Sequence, residues 1–270
     1  MVVIATGPAL AQSGTTVPLG SYLQNLPTVE ATVAGETGTF LLDTGGGISV
    51  LSEQFAERIG CRPWGRLTGF RLSGERLDGA RCDNVVVELG GTSLAVPAAG
   101  VIDLAVMLPP QPPIAGIISL DAFVDQPFTL DLARRRIILE SRESLRVRTA
   151  DAVEVPVQFV RQAGGYSLTV MAQVETPSGD LWFQLDSGGV PPLLIAPHAA
   201  VAMGLAADAP PDQPILLDLG TADRSAAAVA TTVEVRPGMI IDGNIGEPTM
   251  ARTVLTFDLA NQKLWVRTNP

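Results

Sequence analysis

Phe40-Leu41-Leu42-Asp43-Thr44-Gly45-Gly46 and Phe183-Gln184-Leu185-Asp186-Ser187-Gly188-Gly189 lie 143 positions apart and read almost alike. Each runs hydrophobic-x-Leu-Asp-(Thr/Ser)-Gly-Gly, then an apolar run, then a short helical pattern. A single Asp-(Thr/Ser)-Gly says little in a chain with 27 glycines. Two of them in matching context imply a duplicated unit, and a duplication constrains the fold before any local reading does.

A second pair of tracts supports the duplication well away from the aspartates. Gly116-Ile117-Ile118-Ser119-Leu120-Asp121-Ala122-Phe123 corresponds to Gly243-Asn244-Ile245-Gly246-Glu247-Pro248-Thr249-Met250. The same offset carries Phe128-Thr129-Leu130-Asp131-Leu132-Ala133 onto Leu255-Thr256-Phe257-Asp258-Leu259-Ala260, and Ile137-Ile138-Leu139 onto Leu264-Trp265-Val266. Each copy has the size of a small domain. The cut falls in the charged stretch from Ser141 to Ala152, which divides the chain into a lobe over 15–146 and a lobe over 147–270.

Within each copy most segments read as short strands rich in Val, Leu, Ile and Thr, broken by Gly, Pro and Asp. Asn84 to Leu89, Tyr166 to Val174 and Thr231 to Val235 are examples. The helices are few and short. Ser52 caps the first, with Glu53 in its first turn, Phe55 and Ile59 on one face, and Gly60 as the stop. The second starts at Pro197 and ends at Gly204. Arg134-Arg135-Arg136 falls in a hairpin turn between two strands and reads as a solvated turn. The chain is thus all-β apart from a few short helices.

Composition narrows the function. The 270 residues are 46% hydrophobic but only 5% aromatic, so the cores rest on aliphatic side chains. A net charge of -10 and a pI near 4.6 argue against nucleic acid, whose phosphates need a positive surface. No run is apolar enough to predict stable membrane insertion. Residues 1–14 look like the second half of an export signal, with Ala9-x-Ala11 as its cleavage pattern, or else like a disordered apolar tail. The export reading predicts a periplasmic or secreted protein. Cys61 and Cys82, the only two cysteines, could then pair, the alternative being two buried thiols.

Several chemistries are excluded. His198 is the only histidine and sits in the first turn of the second-lobe helix, as a surface residue. One histidine leaves no serine-histidine or cysteine-histidine scheme and no histidine-rich metal site. No Cys/His cluster suggests zinc, and Gly45-Gly46-Gly47 lacks the Gly-Lys-(Ser/Thr) of a phosphate loop. No metal or cofactor is expected.

At its paired Asp-(Thr/Ser)-Gly and Gly-x-Ile-(Ser/Gly) motifs, the chain resembles the aspartic proteases, closest to a bacterial retropepsin-like and pepsin-like group with both lobes fused. The resemblance implies a bilobal acid-protease fold, two pseudo-symmetric β-barrel-like lobes with a cleft between them. It implies Asp43 and Asp186 as the catalytic dyad. Thr44 and Ser187 would brace the two loops, while Gly45 and Gly188 would allow tight turns that aim amide hydrogens at the carboxylates. The substrate would be a peptide or protein, and the active form a monomer, since one chain carries both motifs. Ser119 departs from the family's usual glycine, and the candidate flap, Phe70 to Ala80, lacks the tyrosine of pepsin flaps. Gly46 and Gly189 stand where pepsin-like enzymes carry a Ser or Thr hydroxyl that donates to the carboxylate. Without that donor each aspartate should titrate higher, giving a mildly acidic optimum. Two rivals remain: an inactive peptide-binding module on the same fold, and a carboxylate-pair hydrolase such as a glycosidase.

Overall fold

The computed structural model describes residues 13–23, 25–106, 108, 113–219 and 228–269. The export-signal reading of the first residues therefore lies outside the described residues.

The duplication is present in the strand pairing itself. In lobe 1 the strand Glu36–Leu42, which leads into Asp43, runs parallel to Gly116–Ile118, with Phe40 opposite Gly116 and Leu42 opposite Ile118. In lobe 2 Gly179–Asp186 runs parallel to Gly243–Gly246, with Phe183 opposite Gly243 and Asp186 opposite Gly246. The strand after each aspartate, Val50–Ser52 or Leu193–Ile195, then packs antiparallel on the far side of the glycine strand. Lobe 1 forms an eight-stranded sheet, and a further pairing of Thr32 and Val33 with Glu88 and Val87 folds it toward a barrel. Lobe 2 forms a seven-stranded sheet.

A six-stranded sheet joins the lobes, three strands coming from each half of the duplication. At its centre Phe128–Asp131 pairs antiparallel with Thr253–Asp258, placing Thr129 opposite Thr256. These two threonines are equivalent in the repeat, so the pseudo-twofold axis passes between them, and their hydroxyls hydrogen-bond at 2.9 Å. On one side of this pair Phe128 and Phe257 lie opposite each other, stack at 4.8 Å and are fully buried. Burying rings of this size contributes about 2–3 kcal/mol each. The floor beneath the two lobes is therefore well fixed.

The helices follow their local signals. Ser52 accepts a hydrogen bond from Phe55 N at 3.1 Å and caps the helix Glu53–Arg58, whose Phe55 is buried against Phe40. The charged stretch between the lobes contains a helix, Arg142–Thr149, with Ser141 and Ser144 in a reciprocal capping box and no buried residue. The hairpin at Ala133 to Arg136 is more engaged than a solvated turn. Arg134 and Arg136 both reach the buried Asp131, and Arg135 reaches the carbonyls of Leu19 and Gly20. Those cations are needed because Asp131 is a desolvated carboxylate. Cys61 and Cys82 are joined, with their Cα atoms 6.1 Å apart, and tie the end of the first helix to the strand Arg76–Leu89.

Candidate active site

The strands Glu36–Leu42 and Gly179–Asp186 end at the interface of the lobes and deliver Asp43 and Asp186 to one place. A lattice of four hydrogen bonds crosses between the loops. Thr44 N donates to Ser187 Oγ at 3.0 Å and Thr44 Oγ1 donates to Leu185 O at 2.8 Å. Their counterparts are Ser187 N to Thr44 Oγ1 at 3.0 Å and Ser187 Oγ to Leu42 O at 2.7 Å. Both side chains are buried, so each hydroxyl serves as donor and acceptor with no water to replace a lost partner. A hydroxyl is required at both positions, and the sequence shows Thr in one copy and Ser in the other.

Each aspartate is held by its own loop. Gly45 N donates to Asp43 Oδ1 at 2.9 Å, and Gly188 N donates to Asp186 Oδ1 at 3.0 Å. The glycine after each hydroxyl lies against the opposite carboxyl: a Cβ on Gly45 would sit 2.5 Å from Asp186 Cγ, and one on Gly188 would sit 2.6 Å from Asp43 Cγ. Any side chain there would drive the two lobes apart. The carboxyls are close enough to hydrogen-bond to each other.

Electrostatics makes the two unequal. Burial raises Asp43 above the ordinary carboxylate range, against hydrogen bonds from Asp186 and the backbone of Gly45, Gly46 and Gly188. Burial raises Asp186 further, and the negative charge of Asp43 adds to the effect. Two buried carboxyls in contact hold one proton between them, a pairing that belongs to the pair as a unit. Both shifts run upward and that of Asp186 runs further, which favours the shared proton on the Asp186 side of the pair.

The reading of Gly46 and Gly189 needs correction. Both positions are glycine, yet their missing hydroxyls are partly replaced from elsewhere. Asn244 Nδ2 donates to Asp186 Oδ2 at 2.8 Å. In lobe 1 the Ser119 hydroxyl fills the corresponding space, 2.5 Å from where a Cβ on Gly46 would lie, and donates to Asp43 O at 2.7 Å. Ser119 therefore fits because Gly46 makes room. It braces the Asp43 main chain and not its carboxylate.

Beneath Ser119 lies a polar chain that motif reasoning did not find. Ser119 N donates to Ser49 Oγ at 3.0 Å, and Ser49 Oγ donates to Asp121 Oδ1 at 2.7 Å. Ser49 N also bonds Asp121. Burial pushes Asp121 from the ordinary 3.8 up to about 6, against those donors. His198, expected at the surface, is exposed and pairs with Asp242 at 2.9 Å.

The candidate flap lies in the hairpin formed by Trp64–Phe70 and Arg76–Leu89, whose tip reaches lobe 2. Ile240 N donates to Leu72 O at 3.0 Å, and Phe70 N donates to Gln162 Oε1 at 3.3 Å. The Arg81 guanidinium lies between the Trp64 ring, 4.3 Å away, and the Tyr166 ring of lobe 2, 5.0 Å away. A cavity of about 830 Å³ is lined by this hairpin at Leu77 to Ala80, by the first helix and by Cys61, and its lining includes neither aspartate.

A model of the aspartyl protease family matches residues 29–122, which contain Asp43 and the Gly116–Ile118 strand. No curated protein matches the chain. Among solved structures, basic 7S globulin from soybean superposes with a TM-score of 0.60 at 12% identity, covering 95% of each chain. Conglutin gamma, a basic 7S globulin from lupine seeds, gives 0.61 at 11% identity over 95% of this chain and 96% of that one. The structure of edgp gives 0.59 at 11% identity over 96% of each. The chain is aspartyl-protease-like over residues 29–122, and it shares its bilobal, mostly β fold with these three proteins across nearly its whole length.

Proposed function

We propose that this chain is an aspartic endopeptidase that hydrolyses peptide bonds with a water activated between Asp43 and Asp186. The observation that carries the reading is the reciprocal clasp of Thr44 and Ser187, which fixes two buried carboxyls from two lobes against each other. Asp43, ionised, takes a proton from water as that water attacks the peptide carbonyl carbon. Asp186, protonated, donates to the carbonyl oxygen as negative charge builds there. The tetrahedral intermediate then collapses with the C–N bond breaking, and the amine leaves with a proton returned from the dyad. Every proton in this scheme resides on water, substrate or the two aspartates, so no cofactor is needed.

Both carboxyls are raised by burial, and this direction supports an optimum in mildly acidic solution rather than strong acid. One chain supplies both aspartates, so activity should reside in a monomer and stay constant per molecule on dilution through the nanomolar range. The joined Cys61 and Cys82 support a periplasmic or secreted location. The test is cleavage of a denatured protein between pH 3 and 7, with and without pepstatin. Pepstatin-sensitive cleavage is expected. Folded protein that cleaves nothing across that range would overturn the reading and favour a peptide-binding module on this fold.

A further inference from the structure

Lobe 2 departs from lobe 1 at a pair of neighbouring positions directly under the aspartates. In lobe 1 Leu41 pairs with Ile117, and both belong to a small apolar cluster with Tyr22, Leu26, Val50 and Leu104. In lobe 2 the equivalent pair is Gln184 and Asn244. Both are buried, at 7% and 1% exposure. Gln184 Nε2 donates to Gly45 O at 2.8 Å and steadies the opposite loop. Asn244 Nδ2 donates to Asp186 Oδ2 at 2.8 Å, a donor that Ile117, its counterpart in lobe 1, cannot supply to Asp43.

Asn244 is expensive for the fold. Its Oδ1 is buried with no hydrogen-bond partner among the described residues. An unpaired buried carbonyl destabilises, and an aliphatic residue such as the Ile117 of lobe 1 would avoid that cost. The side chain is therefore not explained by stability, whereas its other end meets a carboxyl that must change charge.

From this geometry we infer that Asn244 is a positioning residue that sets the acidity of Asp186, holding its outer oxygen and stabilising the charge that appears when Asp186 gives up its proton. The kinetic consequence rests on the protease reading; the effect on Asp186 itself does not. The groups around Asp186 leave few other sources. Asp43 is the charged group that faces it, and it acts in the opposite sense. The backbone of Gly188 donates from the same loop. Gln184, next on the same strand but one, is neutral and turned to Gly45. Glu247, following Gly246, is itself raised by burial, against the charge of Arg135. Without Asn244, burial and the charge of Asp43 act on Asp186 opposed only by main-chain donors. It should then hold its proton too tightly, and a weaker acid polarises the substrate carbonyl less.

The test compares wild type with Asn244→Leu and Asn244→Asp in the full chain. Carboxyl-labelled aspartate is followed by carbon-13 NMR across pH 3 to 9, and the Asp186 signal is assigned by its loss in Asp186→Asn. Asn244→Leu should move the Asp186 titration upward by roughly one pH unit, and Asn244→Asp, which adds a third carboxyl, by more. In the peptide assay kcat should fall about tenfold in Asn244→Leu with little change in KM, and the basic limb of kcat/KM should move upward. Thermal stability of Asn244→Leu should equal or exceed wild type, an outcome that a purely structural asparagine would reverse. An Asp186 titration unmoved in either folded variant would overturn the inference, even if the enzyme is active. Wild-type protein that cleaves no peptide would remove the protease reading, while the NMR titration would still decide the role of Asn244.

Discussion

The loop carrying Asp43 and the loop carrying Asp186 make matching hydrogen bonds but rest on different chemistry. In lobe 1 the support is made of side chains: Ser119 N meets the Ser49 hydroxyl, which meets the buried Asp121. In lobe 2 the residue equivalent to Ser119 is Gly246, and its N–H meets the main-chain carbonyl of Pro192 at 3.0 Å. Pro191 and Pro192 bring that backbone so close that no side chain fits at 246. The duplicated architecture thus conserves where a hydrogen bond must be, while leaving open which atom supplies it. The polarity under the carboxyls is divided the other way, with apolar Leu41 and Ile117 in lobe 1 and Gln184 and Asn244 in lobe 2.

This comparison breaks most visibly if lobe 2 is given the side chain that lobe 1 tolerates. A Cβ on Gly246 would lie 2.0 Å from Pro191 O and 2.8 Å from Gly189 O, both main-chain atoms. Gly246→Ala should cost roughly 4 kcal/mol or more, at the upper end of single-residue effects, and chemical denaturation checks it. Removing one half of the clasp ranks next. Thr44→Val or Ser187→Ala strands buried partners in both loops and should cost about 2–4 kcal/mol. Peptide hydrolysis should drop with it, because the carboxyls lose their mutual alignment.

A pH-dependent effect follows from Asp121. Its pKa is raised from 3.8 to about 6 in the folded chain, so the native state binds that proton more tightly than the unfolded state. The associated stability is complete below about pH 3.8 and is lost as pH rises through about 6. Relative to wild type, Asp121→Asn should therefore gain up to about 3 kcal/mol between pH 4 and pH 7, as read from urea unfolding at each pH. The smallest effect belongs to Ser119→Gly, which makes lobe 1 resemble lobe 2. It forfeits one hydrogen bond to Asp43 O and should cost about 1 kcal/mol with activity largely retained.

Much of this was legible in the residues. Phe-x-Leu-Asp-(Thr/Ser)-Gly carries its own structural logic, because the hydroxyl, the glycine and the strand before them each answer a separate geometric demand. Matching tracts around Thr129 and Thr256 revealed the duplication, and the strand pairing then placed the pseudo-twofold axis between these two residues. The hidden parts are those in which the lobes differ. Asn244 lies in a repeat whose signal is its glycines and isoleucine, and nothing in that pattern marks its amide. The pairing of Ser49 with Asp121 spans 72 positions and has no periodicity to reveal it. The contact of the flap hairpin with Ile240 depends on how the lobes face each other, and no local pattern encodes that.

The central claim is that two lobes each lend one carboxyl to a single proton-sharing unit. Asp43→Asn and Asp186→Asn, assayed side by side on one fluorogenic peptide with circular dichroism and melting curves at pH 7, test it most directly. Each variant should lose hydrolysis by at least about a thousandfold, because neither half of such a unit works alone. Each should also melt no lower than wild type, since burial raises both carboxyls and an amide, which does not ionise, avoids that cost at neutral pH. Near-normal hydrolysis in either folded variant would contradict the account.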